Sequence, residues 1–138
     1  MSEPIAITQR DDTSILEDIY HLLATYPPLA NDRHAIHVSV VNGAVTITGH
    51  VMTTNTRRFF LSRLTSIEGV KSVDAEHLHD DTAIRIQLSS LIPAGVQANI
   101  RHGVVILSGE EPPANVEDIA NKILALPGVE KVISGYGG

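Results

Sequence analysis

The sequence predicts an α+β protein of two tandem α-β-β-α-β repeats, each a small mixed sheet with helices on one face. Two observations lead to this prediction. A turn glycine, a strand of alternating apolar residues and a closing glycine occur twice, at residues 43–49 and again at residues 103–109. The apolar positions of the neighbouring helices and strands also recur between the two halves of the chain. Such self-similarity indicates a duplicated unit.

The first helix is predicted to begin near residue 12. Asp12 or Thr13 is expected to accept hydrogen bonds from the free amide groups of the helix start, and Ser14 opens a capping box. The apolar residues that follow have the spacing of one helical face: Ile15, Ile19, Leu22 and Leu23. Pro27 is expected to end the helix, and residues 26–34 are predicted as a loop.

A β-hairpin is predicted next, because the apolar period changes to two. Its buried face is expected to consist of Ile36, Val38, Val40, Val45 and Ile47. Asn42 and Gly43 between the strands form the dipeptide that best tolerates the positive φ angles of a type I′ turn. A second helix follows the N-cap candidates at residues 53–56, and its apolar face consists of Phe60, Leu61, Leu64 and Ile67. The helix is expected to end at Gly69, and a third strand follows with Val70 and Val73.

The second repeat follows the first element by element. Its start at residues 80–84 lies 69 positions after residues 11–15, its hairpin is offset by 60 positions and its last helix by 59. The offset between equivalent residues falls from 69 to 60 after the first helix. The second repeat therefore lacks nine residues between its first helix and its first strand, where a loop tolerates a deletion. The predicted limits are a flexible N-terminal arm at 1–10, a first repeat at 11–79 and a second repeat, with the shortened helix–strand loop, at 80–136.

The positions shared by the two repeats form a recognisable pattern. A strand ending in V-x-N-G is followed by a G-x-V-x-[IL]-[TS]-G return and a later [IL]-x-G-V-x-x-V. The positions in the first repeat are Val40, Gly43, Val45, Ile47, Gly49, Gly69, Val70 and Val73, and those in the second are Ile100, Gly103, Val105, Leu107, Gly109, Gly128, Val129 and Val132. This pattern resembles the BON domain, a module of bacterial osmotically induced periplasmic proteins. The resemblance implies a tandem pair of BON domains and a non-catalytic protein that binds phospholipid membranes or an envelope or stress-response partner.

Composition limits the class of protein. Sixteen acidic residues against ten basic ones give a formal net charge of -6, which argues against nucleic-acid binding, since that requires a basic surface. The chain has no cysteine, so disulfides and thiolate metal sites are excluded. The start of the sequence lacks the basic and apolar segments of a secretory signal. The protein is therefore expected to be soluble and cytoplasmic, or periplasmic if a leader has been removed.

A cationic and aromatic cluster in the helix after the first hairpin is the main candidate for binding. Alignment of the repeats places Phe60 in the core and Phe59 off the core face, with Arg63 one helical turn away. Together with Arg57 and Arg58, these residues are predicted to form a patch that meets anionic lipid headgroups. In the alternative interpretation, Phe59 packs against the other repeat and the arginines pair with nearby carboxylates.

Metal binding and catalysis have weaker support. His77 and His79 would lie on one side of an extended strand and could hold a divalent metal ion. A third ligand would come from His34 or His37, but we favour a polar junction between the repeats, whose aspartates cap the next helix. Acidic pairs stand at predicted helix starts, where carboxylates are favoured as caps. No cofactor is expected, and the chain is predicted not to be an enzyme.

The remaining recognition surfaces are predicted where the repeats differ. Tyr26 and Leu29 lie in a loop that has no counterpart in the second repeat. Val104 and Ile106 make the outer face of the second hairpin apolar, so that face needs a cover, either from the first repeat, which we favour, or from a homodimer. The predicted function is peripheral association with anionic phospholipid or with an envelope or stress-related partner. The alternative is a soluble protein–protein interaction or oligomerisation module without lipid contact.

Overall fold

The computed structural model describes residues 10–136. The predicted N-terminal arm, residues 1–10, lies outside the described residues except for Arg10. The guanidinium of Arg10 donates hydrogen bonds to the Asp18 carboxylate and to the carbonyl oxygens of Ser14 and Glu68. Arg10 is therefore fixed against the first repeat and does not belong to a flexible arm.

The first repeat has the predicted order of elements and one additional short helix. Its elements are helix α1 (Asp12–Thr25), helix α2 (Pro27–Asp32), a 3-10 turn (Arg33–Ala35), strands β1 (Ile36–Val41) and β2 (Ala44–Val51), helix α3 (Thr54–Thr65) and strand β3 (Ser72–Asp80). The strand order is β1-β2-β3. The first two strands pair antiparallel and the last two pair parallel, so the sheet is mixed as predicted.

The second repeat has the same architecture without the short helix. Its elements are helix α4 (Asp81–Leu88), strands β4 (Gln97–Arg101) and β5 (Val104–Ser108), helix α5 (Val116–Leu124) and strand β6 (Lys131–Ser134). The strand order is β4-β5-β6, again with one antiparallel and one parallel pair. The predicted α+β fold of two tandem repeats is therefore confirmed. Within residues 10–136, no helix has the length and apolar composition needed to span a membrane.

Each repeat packs its helices against its own sheet around a separate apolar core. The buried side chains of the first core include Ile15, Ile19, Val45, Ile47, Phe60 and Leu64. Their counterparts in the second core are Ile84, Leu88, Val105, Leu107, Ile119 and Ile123. Burying an aliphatic or aromatic side chain of this size contributes roughly 1.5–3 kcal/mol, so each core is a main source of stability for its own repeat.

The paired aspartates at the start of the first repeat have two different tasks. Asp11 is the N-cap of α1, at least one residue earlier than predicted, because its carboxylate accepts the amide hydrogen of Ser14 at 2.8 Å. Ser14 is thus a donor to the cap and does not open a capping box. Asp12 accepts hydrogen bonds from the amides of Asn42 and Gly43 in the hairpin turn, at 2.9 and 3.0 Å. The second aspartate therefore ties the hairpin to the helix start.

The same arrangement recurs in the second repeat. Asp80 caps α4 by accepting the amide hydrogen of Ala83 at 2.7 Å. Asp81 accepts hydrogen bonds from the amides of His102 and Gly103, at 2.7 and 3.1 Å. The duplication thus extends from the sequence pattern to individual hydrogen bonds.

The segment predicted as a loop at residues 26–34 is largely helical. Pro27 follows the end of α1, as predicted, but it also begins α2, where the missing amide hydrogen of proline has no cost. Leu29 lies in this helix and is fully buried in the first core. Leu29 therefore presents no surface to a partner, contrary to the interface prediction.

Helix α4 is shorter than its apolar stripe predicts. It ends at Leu88, although the stripe continues to Leu91 and Ile92. These two residues lie in the following turn and still pack, half-buried, against the second core. Their apolar character reflects core packing after the helix has ended.

Strand β3 contains a β-bulge that sets the orientation of its histidines. Residues 74–77 advance by three positions while the paired residues of β2 advance by two. The extra residue reverses the alternation, so Ala75 packs against the core before the bulge and Leu78 is buried in it afterwards. His77 and His79 consequently lie on the opposite side of the strand from Leu78.

The two repeats are joined without a linker, because β3 ends at Asp80 and α4 begins at Asp81. The hydroxyl of Thr54 donates to the Asp80 carboxylate at 2.8 Å. The hydroxyl of Thr82 donates to the carbonyl oxygen of Met52 at 3.3 Å. Since the two apolar cores are separate clusters, polar contacts of this kind connect the repeats along the joint.

Candidate binding surfaces

A groove of about 380 Å³ lies between α1 and α3 of the first repeat. Its central feature is an aromatic stack, in which the rings of Tyr26 and Phe59 have centroids 3.9 Å apart and are inclined by 21°. The guanidinium carbon of Arg63 lies 5.2 Å from the centroid of the Phe59 ring, within the range of a cation–π contact. Leu22 and Ile67 also line the groove. The groove therefore combines these apolar side chains with an exposed cation, and Asp18, which pairs with Arg10, also lines it.

Arg57, one member of the predicted patch, has a structural task. Its Nε donates to the carbonyl oxygen of Leu78 at 2.8 Å, and one terminal nitrogen donates to that of Ala75 at 2.9 Å. Among the described residues β3 is an edge strand, so no strand there pairs with its outward carbonyl groups. Arg57 satisfies two of these groups on either side of the bulge, and its guanidinium is occupied there.

The other patch residues are distributed differently from the prediction. Phe59 is half-buried and packs against Tyr26 and the first core, so it contacts its own repeat and not the other one. Arg58 and Arg63 are exposed. The structure thus brings Tyr26, Phe59 and Arg63 together in the groove and separates them from Arg57.

The outer face of the second hairpin is apolar and open. Val104 is half-buried, while Ile106 is 42% exposed and its pairing partner Ile133 is 38% exposed. Within the described part of the chain, the first repeat does not cover this face, contrary to the expectation favoured from the sequence. The homodimer that would cover it stays a prediction.

A second cleft, of about 520 Å³, lies between the repeats and is lined by histidines. Six of the seven histidines in the sequence contribute to it: His34, His37, His50, His77, His79 and His102. The sequence prediction grouped four of these residues, and the structure brings those four to one cleft. It missed His50 and His102, because they stand in different elements, at the end of β2 and in the second hairpin turn.

His50 crosses from the first repeat to the backbone of the second. It is 4% exposed, and its Nε2 lies 2.6 Å from the carbonyl oxygen of Gly128. A carbonyl oxygen can only accept a hydrogen bond, so Nε2 carries the hydrogen and Nδ1 of the neutral ring has the lone pair. Nδ1 lies 3.8 Å from the Glu130 carboxylate. A Cβ atom on Gly103 would lie 2.4 Å from Nε2, so the imidazole packs directly on this turn.

His102 makes a second contact between the repeats. Its Nε2 lies 2.7 Å from Oδ1 of Asp32, a residue that is 1% exposed. The other carboxylate oxygen of Asp32 accepts the amide hydrogen of Met52 at 3.0 Å. Both oxygens of this buried carboxylate therefore have donors, which offsets the cost of its burial. The ring of His34 meets that of His102 edge-on, with centroids 4.8 Å apart.

His79 stands beside His50, with ring centroids 5.8 Å apart. Its ring covers Gly128, where a Cβ atom would lie 2.6 Å from its Cγ. Burial lowers the pKa of His79 below the ordinary histidine value, because the protonated ring is less well solvated. The neighbours whose positive charge lowers this pKa further are His50, His77 and Arg57.

The histidine cleft lacks the geometry of a closed metal centre. Within residues 10–136, no three histidine, aspartate or glutamate side chains converge closely enough to hold a metal ion. His77 and His79, the weak candidates for metal ligands, therefore have no third ligand in this arrangement.

The first repeat matches a known protein family. Residues 11–78, which span it almost completely, match the family model of the BON domain. The first repeat belongs to the BON domain family. The second repeat lies outside the matched residues but has the same strand order and the same aspartate contacts. Its assignment as a second BON domain stays a prediction.

Solved structures with a similar fold include two of CdsD, a structural protein of the type III secretion system of Chlamydia trachomatis. The CdsD C-terminal domain superposes with a TM-score of 0.74 at 15% identity, covering 92% of this chain and 66% of the other. The second structure has a TM-score of 0.71 at 15% identity, with coverages of 92% and 63%. This chain thus spans about two thirds of their length. No curated protein sequence matches it.

The BON motif positions are structural. Gly43 and Gly103 adopt φ angles of 80° and 79° in the hairpin turns, a conformation in which glycine is favoured. Gly49 has no space for a side chain, since its Cβ would lie 1.9 Å from the Ala35 carbonyl oxygen. The BON motif therefore identifies the fold, whereas the groove and the histidine cleft contain the residues that distinguish this protein.

Proposed function

We propose that this BON-domain chain is a non-catalytic binding module that recognises a segment of a partner protein in the groove between α1 and α3. The observation that carries the proposal is the exposed Arg63 beside the stacked rings of Tyr26 and Phe59. An aromatic pair held rigid by stacking provides contact area with little loss of side-chain freedom on binding. The likeness in fold to CdsD, described as a structural protein of a secretion system, supports a role in assembly.

The groove defines the chemistry of the segment that it would take. Its volume of about 380 Å³ accommodates one or two side chains, and its half-buried lining residues Leu22, Ile67 and the aromatic pair favour apolar ones. Arg63 favours a neighbouring carboxylate, since a guanidinium can pair with it in a bidentate manner. The expected ligand is therefore a peptide segment with an apolar residue next to aspartate or glutamate.

A peptide selection tests this proposal. Phage-displayed peptides are selected on the immobilised protein and counter-selected on Phe59→Ala, and the enriched peptides are synthesised for calorimetry. We expect enriched sequences to combine an apolar residue with an acidic one, and Arg63→Glu to weaken their binding at least tenfold. Lys122→Glu is the matched control, because Lys122 occupies the position equivalent to Arg63 in α5 and pairs with Asp118.

The control decides between specific and general effects of charge. Equal loss of binding in Arg63→Glu and Lys122→Glu would indicate that net charge, and not the groove, determines binding. Peptides that bind Phe59→Ala as well as the unaltered protein would contradict the groove as the site. Circular dichroism verifies that each variant keeps its secondary structure.

Association with anionic phospholipid is the second candidate. It is supported by the exposure of both Arg58 and Arg63 on α3, as well as by the resemblance to the BON family. The engagement of Arg57 with β3 and the half-burial of Phe59 reduce the cationic and aromatic surface available for headgroups. The expected affinity for anionic membranes is accordingly low and sensitive to salt.

Co-sedimentation with vesicles tests the lipid candidate. Vesicles of phosphatidylcholine alone are compared with vesicles containing phosphatidylserine, at low and at physiological salt. Binding to the anionic vesicles that is lost in Arg58→Glu and in Arg63→Glu, but kept in Lys122→Glu, would support lipid contact through α3. Absence of binding to anionic vesicles at low salt would contradict it and leave the protein segment as the proposed partner.

A further inference from the structure

The joint between the two repeats depends on histidine. Each repeat has its own apolar core, and within residues 10–136 no shared core stabilises their contact. On one side of the cleft, His50 donates to the carbonyl oxygen of Gly128 and His79 covers the same glycine. On the other side, His102 pairs with Asp32. Histidine is the side chain whose ordinary pKa lies within the physiological range, so these contacts are exposed to changes of pH.

We infer that the histidine cleft is a pH-sensitive joint, in which protonation of His79 beside the buried ring of His50 weakens the docking of the second repeat on the first. The two rings belong to paired residues of β2 and β3 and stand 5.8 Å apart. His50 is 4% exposed and packs directly on the turn at Gly103. Protonation of His79 would place a cation beside this buried ring and against Gly128, where a Cβ atom would lie 2.6 Å from Cγ of His79.

The surrounding charges act in both directions. His77 on β3 and Arg57 on α3 disfavour a charge on His79, while Asp80 at the end of β3 favours it. The carboxylate of Glu130, in the turn before β6, lies 3.8 Å from Nδ1 of His50. The lowered pKa of His79 indicates that desolvation and the neighbouring cations outweigh Asp80 at this position.

The other side of the cleft has a contact that does not involve His79. His102 donates to the buried Asp32 carboxylate at 2.7 Å. The ring of His34 meets that of His102 edge-on. His37 also lines the cleft and is exposed. We therefore expect the joint to loosen on the side of His50 and His79 while the contact with Asp32 persists, so the repeats separate partially and do not dissociate.

The sign of the pH dependence follows from proton linkage. The pKa of His79 is lower in the docked state than in a solvated histidine, whose ordinary value is 6.5. The undocked state therefore binds protons more readily in the range between these two pKa values. Above the ordinary histidine pKa, the free energy of docking has its full value. It becomes less favourable as the pH falls from the ordinary pKa to the lowered pKa of His79.

A distance measurement between the repeats tests the inference. The natural sequence has no cysteine, so Ser39→Cys and Asn121→Cys provide two unique labelling positions. Both residues are exposed, one on β1 of the first repeat and the other on α5 of the second. Spin labels at these positions report the separation of the repeats by double electron–electron resonance, and circular dichroism is recorded on the same samples.

At about pH 7.5, above the ordinary histidine pKa, we expect one narrow distance distribution. At about pH 5.5, the population at changed distance is expected to rise severalfold with the circular dichroism spectrum unchanged. The double variant His50→Gln with His79→Gln keeps an amide donor at residue 50 but cannot titrate, so it is expected to lose this response. His21→Gln is the matched control, since His21 lies on α1 outside the cleft, and it is expected to keep the response.

Three results would overturn the inference. The first is an unchanged distance distribution in the unaltered protein at both pH values. The second is a response that persists in the double variant, which would assign it to other groups. The third is a distance change accompanied by loss of the circular dichroism signal, because that result would indicate unfolding of a repeat and not undocking.

Discussion

Asp12 and Asp81 occupy equivalent positions in the two repeats but differ in burial. Each carboxylate accepts hydrogen bonds from two consecutive amides of a hairpin turn. Asp81 is 1% exposed, whereas Asp12 is half-buried. Amide groups that lose their acceptor near the surface can bond to water, but buried amide groups cannot do so without penalty. Equivalent substitutions should therefore have unequal effects.

We expect Asp81→Ala to lower the free energy of unfolding by about 3 kcal/mol and Asp12→Ala by about 1 kcal/mol. Urea titration followed by circular dichroism measures both values. Asp81→Asn, which keeps one acceptor oxygen in the same place, should lose less than Asp81→Ala. Equal losses for the two alanine variants would contradict the role assigned to burial.

The structural roles of single residues were predicted well where their hydrogen-bond partners are close in sequence. The carboxylate caps of the helices follow from the residue types at the helix starts, and the prediction erred there by one position. The bonds from Asp12 and Asp81 to the hairpin turns were beyond such reasoning, because donor and acceptor are 30 and 21 residues apart. Arg57 was predicted to bind a ligand for the same reason. Its actual partners, the carbonyl oxygens of Ala75 and Leu78, lie 18 and 21 residues further along the chain.

At the scale of the elements, β3 depends on a side chain from the neighbouring helix. Arg57 bonds to the carbonyl oxygens of Ala75 and Leu78, on the open edge of the first sheet. Removing this guanidinium leaves two carbonyl groups next to the bulge without their charged donor. Hydrogen bonds from charged groups contribute about 1.5–3 kcal/mol when buried and less at a partly exposed edge.

We predict that Arg57→Met, which keeps the length of the side chain, lowers the free energy of unfolding by about 1–2 kcal/mol. This substitution should increase the rate of amide hydrogen exchange more in β3 than in β1. Arg58→Met is the matched control, since Arg58 is exposed, and its effect should lie within about 0.5 kcal/mol of zero. Similar effects of the two variants would show that Arg57 does not stabilise the strand edge.

The elements with long periodic patterns were predicted, and the short one was missed. Helix α1 and the first hairpin each provide a full apolar face, which fixes their type. Helix α2 has six residues and begins with two prolines, so its sequence resembles that of a loop. Its formation depends on the burial of Leu29 in the core, a tertiary effect that local sequence does not contain.

For the whole molecule, the duplication of the sequence predicts the duplication of the fold but not the way in which the repeats meet. The apolar motif positions repeat at regular offsets, so both cores follow from the sequence. The residues of the joint occupy positions where the repeats differ. Asp32 belongs to the segment that the second repeat lacks, and His102 replaces Asn42 of the first hairpin turn. Such residues have no second copy from which their role could be inferred.

The contact at Gly128 provides a direct test of how the repeats are packed. Gly128 and Gly95 have φ angles of 90° and 85°, so alanine at either position causes backbone strain of about 1–2 kcal/mol. A Cβ on Gly128 would also lie 2.6 Å from Cγ of His79, whereas Gly95 has no atom within 4 Å of such a Cβ. We therefore expect Gly128→Ala to lower the free energy of unfolding by about 3 kcal/mol and Gly95→Ala by about 1 kcal/mol, measured by urea titration. Pairing Gly128→Ala with His79→Ala should recover part of the difference, because the imidazole is removed while Cβ of residue 79, 2.9 Å from the new methyl group, remains. If the two glycine variants are equally stable, or if His79→Ala recovers nothing, the first repeat does not pack on this turn through His79.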